Sequence, residues 1–113
     1  MMKKSTTIHT DALGHVSRCE ITGLETVYEG DYRTVYELDY GGEVTTIRFQ
    51  KGAPSLDGFN GTTNEALIAV LLDRLKHMQE LTPCLENESA IDGLNVTMRS
   101  LRARAERVAT QPR

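Results

Sequence analysis

The chain has 113 residues, with 13 Lys and Arg against 16 Asp and Glu, a net charge of −3, and 39% hydrophobic residues. This composition suits one globular domain and excludes a disordered or fibrous chain, and the acidic balance argues against a nucleic-acid polymer as partner, which would need a field of Lys and Arg. No run approaches the roughly 18 apolar residues of a membrane span, and the polar start lacks the apolar stretch of a signal peptide; a protein of the cell interior is expected, with Cys19 and Cys84 as reduced thiols.

Residues 1–18 are polar and show no sustained period, so they are read as a tail or weak edge strand with little order. From about Cys19 to Gln50 the composition shifts to Thr, Val, Ile, Tyr and Phe, with turn residues at Gly30-Asp31 and Gly41-Gly42, which predicts a meander of three antiparallel strands. The first centres on Ile21 to Tyr28, with Gly23 a candidate bulge, the second on Arg33 to Tyr40 and the third on Glu43 to Gln50. Gly41-Gly42 supplies the positive φ angles of a two-residue hairpin turn between the last two.

Residues 51–62 hold Pro54, Ser55, Asp57, Gly58, Asn60 and Gly61 and read as a loop. Thr62 stands three residues before Glu65, the spacing of a capping box, and opens a helix to about Leu81 whose apolar residues Leu67, Ile68, Leu71, Leu72, Leu75 and Met78 recur at helical spacing. Thr82-Pro83 ends it. A second helix then carries a seam of Ile91, Leu94, Met98, Leu101, Ala105 and Val108, and Gly93 within it is either a mild helix defect or a place where another backbone comes close. The expected fold is α+β: a single domain in which an N-terminal antiparallel β-meander (19–50) precedes a C-terminal antiparallel helical hairpin (63–109). The apolar surface that one copy leaves uncovered predicts a homo-oligomer.

Three stretches could hold an anion. The glycine and hydroxyl residues of Phe59-Asn60-Gly61-Thr62-Thr63-Asn64-Glu65 gather amide and side-chain donors at a helix start. Arg48-Phe49-Gln50-Lys51 sets an aromatic ring between two cations, as base stacking beside a phosphate would require, although by itself the stretch reads better as a core ring flanked by solvated charges. Arg99, Arg102, Arg104 and Arg107 form a basic strip opposed by one acid, Glu106.

Catalysis has little support. His15-Val16-Ser17 matches one half of the paired His-x-Ser/Thr motifs of two-histidine phosphoesterases, but His9 is followed by Thr10 and Asp11 rather than by a second copy. His77, Cys19 and Cys84 have no spaced partners that would make a nucleophile, and no metal-ligand spacing occurs. No catalytic residue, metal or cofactor is therefore expected.

Taken together, Tyr28-Glu29-Gly30-Asp31-Tyr32-Arg33-Thr34-Val35-Tyr36, Phe49-Gln50-Lys51-Gly52, Asn60-Gly61-Thr62-Thr63-Asn64-Glu65-Ala66-Leu67 and Pro83-Cys84 closely resemble the Thoeris anti-defence family of the first type, phage-encoded nucleotide sponges whose helical hairpin is shared with anti-CBASS sponges. The resemblance runs over residues 20–108. It implies sequestration, without cleavage, of cyclic nucleotides made by bacterial immune systems in the cytoplasm of the infected host, chiefly glycocyclic ADP-ribose. It also implies an oligomer with pockets between subunits, and in some members cyclic oligonucleotides in a second pocket. Matching positions give Phe49, Asn60, Thr62, Asn64 and Arg104 as ligand contacts; charge and proximity add Arg48 and Arg102. Many relatives carry arginine where this chain has Leu85, and Trp-Leu where it has Ser100-Leu101. The alternatives of a different class are a phosphodiesterase using His15 and an interaction module without a small ligand.

Overall fold

A computed structural model describes residues 4–21 and 33–110 and divides into two compact units, Met1–Thr62 and Thr63–Arg113. The first holds four antiparallel strands in sequential order: β1 (Lys4–Thr10), β2 (Val16–Ile21), β3 (Val35–Tyr40) and β4 (Glu43–Arg48). The second holds two long helices.

The β3–β4 hairpin forms as its sequence dictates. Tyr40 pairs with Glu43 across Gly41 and Gly42, whose φ angles of 63° and 91° are those of the turn that matches strand twist and favours glycine. The register then sorts the side chains. Cys19 lies opposite Tyr36, which lies opposite Ile47, and this face contains the fully buried Cys19. The other face opposes Arg18 to Glu37 and Glu37 to Thr46. Arg18 there reaches Glu37 at 3.6 Å and Asp39 at 3.2 Å, so alternation separates an apolar face from an ion-paired one.

At the start of the chain the edge strand, one of the two readings expected there, is what forms. Residues 4–10 form the edge strand β1 rather than a stretch of little order, paired to β2 from Lys4↔Ile21 to Thr10↔Val16 with an irregularity between Thr7 and His9. Of the strand expected at Ile21 to Tyr28, only Ile21 falls among the described residues, where it closes β2; the rest of it, Gly23 and the turn at Gly30-Asp31 lie outside them. The reason is chemical. In Lys4-Ser5-Thr6-Thr7-Ile8-His9-Thr10 the β preference comes from branched threonines, and an edge strand with Ile8 still exposed buries too little to require an apolar alternation.

After β4, Phe49 bridges to Thr62 in parallel fashion, and the intervening loop contains a one-turn helix, α1 (Pro54–Asp57). The second unit begins at once with α2 (Asn64–Leu81), followed after three residues by α3 (Leu85–Thr110). The cap of α2 is Thr63, whose hydroxyl accepts from the Ala66 amide at 3.1 Å, and not Thr62, whose backbone is taken up by the bridge. Thr63→Ala is expected to lower stability by roughly 1 kcal/mol, read from chemical denaturation, while Thr62→Ala leaves α2 capped.

α2 and α3 pack against each other. Leu72 and Met98 are buried between them, with Ile68, Leu75, Ile91, Leu94 and Leu101 half-buried. The expected seam stops at Leu101; Ala105 and Val108 are exposed, because the 26-residue α3 outruns the 18-residue α2. The connection is fixed by its own polar groups: Gln79 accepts from the Cys84 amide at 3.0 Å, and the Cys84 sulfur accepts from Asn87 at 3.4 Å. A Cβ on Gly93 would meet nothing within 4 Å, so this glycine is a mild helix defect and not a close approach.

Candidate functional site

The residues around the β4 exit form a cross-braced platform. The Thr62 amide donates to the Arg48 carbonyl at 2.8 Å, and the Gln50 amide donates to the Thr62 carbonyl at 3.0 Å. These two bonds hold the chain on either side of the loop together. Gly61 lies against this crossing so closely that a Cβ would overlap the backbone of Phe49 and Gln50. Two side-chain amides then fix the loop from within. Asn60 accepts from the Lys51 amide at 2.8 Å and donates to the Lys51 carbonyl at 2.9 Å. Gln50 donates to the Gly58 carbonyl at 2.8 Å and accepts from the Asn60 amide at 3.1 Å.

Of the expected contacts, this unit gathers Phe49, Asn60 and Thr62. Phe49 is half-buried, donates its amide to Thr34 at 2.7 Å, and meets Tyr36 edge to face with ring centroids 5.6 Å apart. Arg48 does not join that face. It pairs opposite Val35 on the face that carries Arg18 and Glu37, and successive strand residues point to opposite sides, so Arg48 leaves the strand on the side opposite Phe49.

Asn64, Arg102 and Arg104 belong to the helical unit. Asn64 is the first residue of α2 and is exposed. Asn64 and Arg102 each lie seventeen residues from the inner end of their helix at the connection, so both stand about 26 Å along their helices from it. Arg102 and Arg104 are exposed and unpaired among the described residues, yet two residues along a helix is a rotation of about 200°. The two guanidiniums leave α3 on nearly opposite sides.

A second polar cluster occupies the other end of the sheet. Asp11, His15, Val16, Ser17, Leu38, Asp39, Tyr40 and Gly41 line an open groove of about 530 Å³. Asp11 Oδ1 accepts from the Leu13 and His15 amides, each at 2.9 Å, while Oδ2 lies 3.4 Å from His15 Nδ1. The His15 ring meets Tyr40 at 6.3 Å. The His15 backbone amide above all holds the Asp11 carboxyl below its ordinary 3.8; desolvation opposes it, and the Leu13 amide and the nearby His15 and His9 add to the lowering. The folded-state value being depressed, the turn gains stability from this carboxylate above pH 3.8 and loses it as the pH falls through the lowered value. The Leu13 and His15 amide resonances should therefore titrate with a midpoint below 3.8, and Asp11→Asn should abolish that titration.

Three features carry little signal in the sequence. Gln50 reads as an outward strand residue, and its role emerges only because the loop returns to it. The Asp11–His15 pairing depends on the tight turn between β1 and β2, in a region with no apolar period. Phe59 stands within the Asn-Gly phrase but is fully exposed, which no local pattern foretells. Among the described residues there is no group of three or more His, Cys, Asp or Glu able to hold a metal, and no helix is long and apolar enough to cross a membrane.

No family model matches the chain. It is 38% identical over 80 residues to "Thoeris anti-defense 1" of Bacillus phage SBSphiJ7, a match covering 69% of this chain and 56% of that protein. The chain thus spans little more than half the length of this relative.

Proposed function

We propose that this chain, which belongs to the Thoeris anti-defence family, binds a cyclic signalling nucleotide of the glycocyclic ADP-ribose type and sequesters it without cleavage, protecting a phage inside its host's cytoplasm. The observation that carries this reading is the braced platform at Phe49, Asn60, Gly61 and Thr62, which coincides with the phrase shared with the family and is held rigid by four side-chain hydrogen bonds. Rigid loops lose little entropy on binding and so bind small ligands tightly. In this reading an aromatic ring covers the adenine. Thr62 and Asn64 supply donors near the start of α2, and Arg104 holds the pyrophosphate through charge-assisted hydrogen bonds. Arg102, on the other side of α3, adds positive field, and Arg48 takes no direct part.

Exposed Val70, Leu71, Leu81, Leu85 and Val96 on the helices support a homo-oligomer, with each pocket completed by a neighbouring subunit. Calorimetric titration with glycocyclic ADP-ribose tests the proposal. A sponge that outcompetes a host sensor binds in the nanomolar range, about −12 kcal/mol; millimolar binding or none would rule it out.

The phosphodiesterase reading is favoured by one observation, the orientation of His15 by Asp11 in a groove shared with Ser17. That groove, however, carries two carboxylates, Asp11 and Asp39, and Arg18, which reaches Asp39, is already committed to it and to Glu37. Such a field disfavours a phosphodiester. His15→Ala is accordingly expected to leave ligand capture and ligand integrity unchanged.

A further inference from the structure

The aromatic ring assigned to base stacking from the sequence is Phe49, but in the structure that ring is half-buried and already engaged edge-on by Tyr36. Ten residues on, Phe59 is 91% exposed, the most exposed large apolar side chain among the described residues. It is not exposed because its loop is loose. The peptide groups on both sides of Phe59 are clamped by a single side chain: Gln50 donates to the Gly58 carbonyl and accepts from the Asn60 amide. The Gly58 amide also bonds back to the Pro54 carbonyl at 2.9 Å, and Asn60 is tied to both main-chain groups of Lys51. The fold thus spends five hydrogen bonds on holding an aromatic ring out in water, one residue before Asn60.

We propose that Phe59 is a ligand-contacting residue, whose ring lies flat on the base of the captured nucleotide and forms the outer wall of the pocket. This inference rests on the sponge reading. A planar purine is the occupant that matches a lone pinned ring, because stacking needs only one exposed π-face and tolerates any base. A protein partner would ask for a broader apolar patch than this ring and the neighbouring exposed Leu56 provide. Phe49 then anchors the strand end from which the platform is built, and Tyr36 keeps it in place.

The chain contains no tryptophan, so Phe59→Trp places its one tryptophan, excitable apart from the tyrosines, at the proposed contact. Wild type, F59A and F59W are titrated with glycocyclic ADP-ribose, and their masses in solution are measured by light scattering. The expected result is tight binding by wild type, a loss of about tenfold to a hundredfold in F59A, retained affinity in F59W with quenching of its emission on binding, and one mass for all three. Wild-type affinity in F59A, or F59W emission indifferent to saturating ligand, would overturn the assignment while leaving the sponge reading intact. A lower mass for F59A would overturn it in favour of a subunit contact. If wild type itself fails to bind, the sponge reading falls and this inference with it.

Discussion

Gly61→Ala is expected to lower stability by roughly 1–3 kcal/mol, a fall of roughly 5–15 °C in melting temperature for a chain of this size, and to weaken ligand capture at least as much. Glycine is required here by space. An added Cβ would overlap the Phe49 backbone and lie 2.5 Å from its carbonyl oxygen and 2.6 Å from the Gln50 nitrogen, so the strand end and the loop must separate. Separation breaks the two bonds between Thr62, Arg48 and Gln50, and Gln50 can then no longer reach Gly58 and Asn60. Gly93→Ala supplies the opposite sign. Nothing lies within 4 Å of its Cβ position, and in a helix interior alanine is favoured by about 0.5–1 kcal/mol. Paired melting curves for the two variants separate the effect of crowding from that of replacing a glycine.

Arg104→Ala should weaken nucleotide binding by about tenfold to a hundredfold, the weight of a hydrogen bond to a charged group, with the fold unchanged. Arg102→Ala should cost only a few-fold. The contrast follows from helix geometry: the two side chains leave α3 about 200° apart, so one bound pyrophosphate can be held directly by one of them. Neither has an ion-pair partner among the described residues, so truncation strands no buried charge and the melting temperature should hold. Both losses should shrink at high salt, and that of Arg104 less, because a direct contact is screened less than a field is. Equal losses in the two variants would contradict the assignment of Arg104 as the direct contact.

Much of the architecture was legible because strong local signals agreed with one another. The Gly41-Gly42 turn fixed the β3–β4 hairpin, and the Thr-Pro break separated two amphipathic helices at the right place. Where the signal failed, burial was the missing factor. The edge strand β1 buries almost nothing, so its sequence carries no period, and the Asp11 turn that sets its register owes its form to side-chain hydrogen bonds rather than to a glycine-rich motif. The helical seam was read two turns too long because periodicity reports which face of α3 is apolar but not where α2 runs out. In the candidate site the residue types were visible, and so was the alternation that sets Arg48 against Phe49; the return of the loop onto the strand end was not. Arg48 and Phe49 are neighbours in sequence and strangers in space because a strand alternates, while Gln50 and Asn60, ten residues apart, become one brace.

Thr63 in place of Thr62 as the α2 cap is a small shift with a functional side. Because Thr63 takes on the capping, the hydroxyl of Thr62 is left without an intramolecular partner among the described residues. It stands beside Phe49, to which Thr62 is bridged.

The central claim is capture without chemistry, and one measurement addresses both halves. Purified protein is incubated with glycocyclic ADP-ribose and passed over a small-pore filter, and the retained protein is heated to unfold it and release what it holds. Recovery of intact ligand from the heated fraction, in stoichiometric amount, is the expected result. Recovery of a cleaved product, or passage of all the ligand through the filter, would contradict the account.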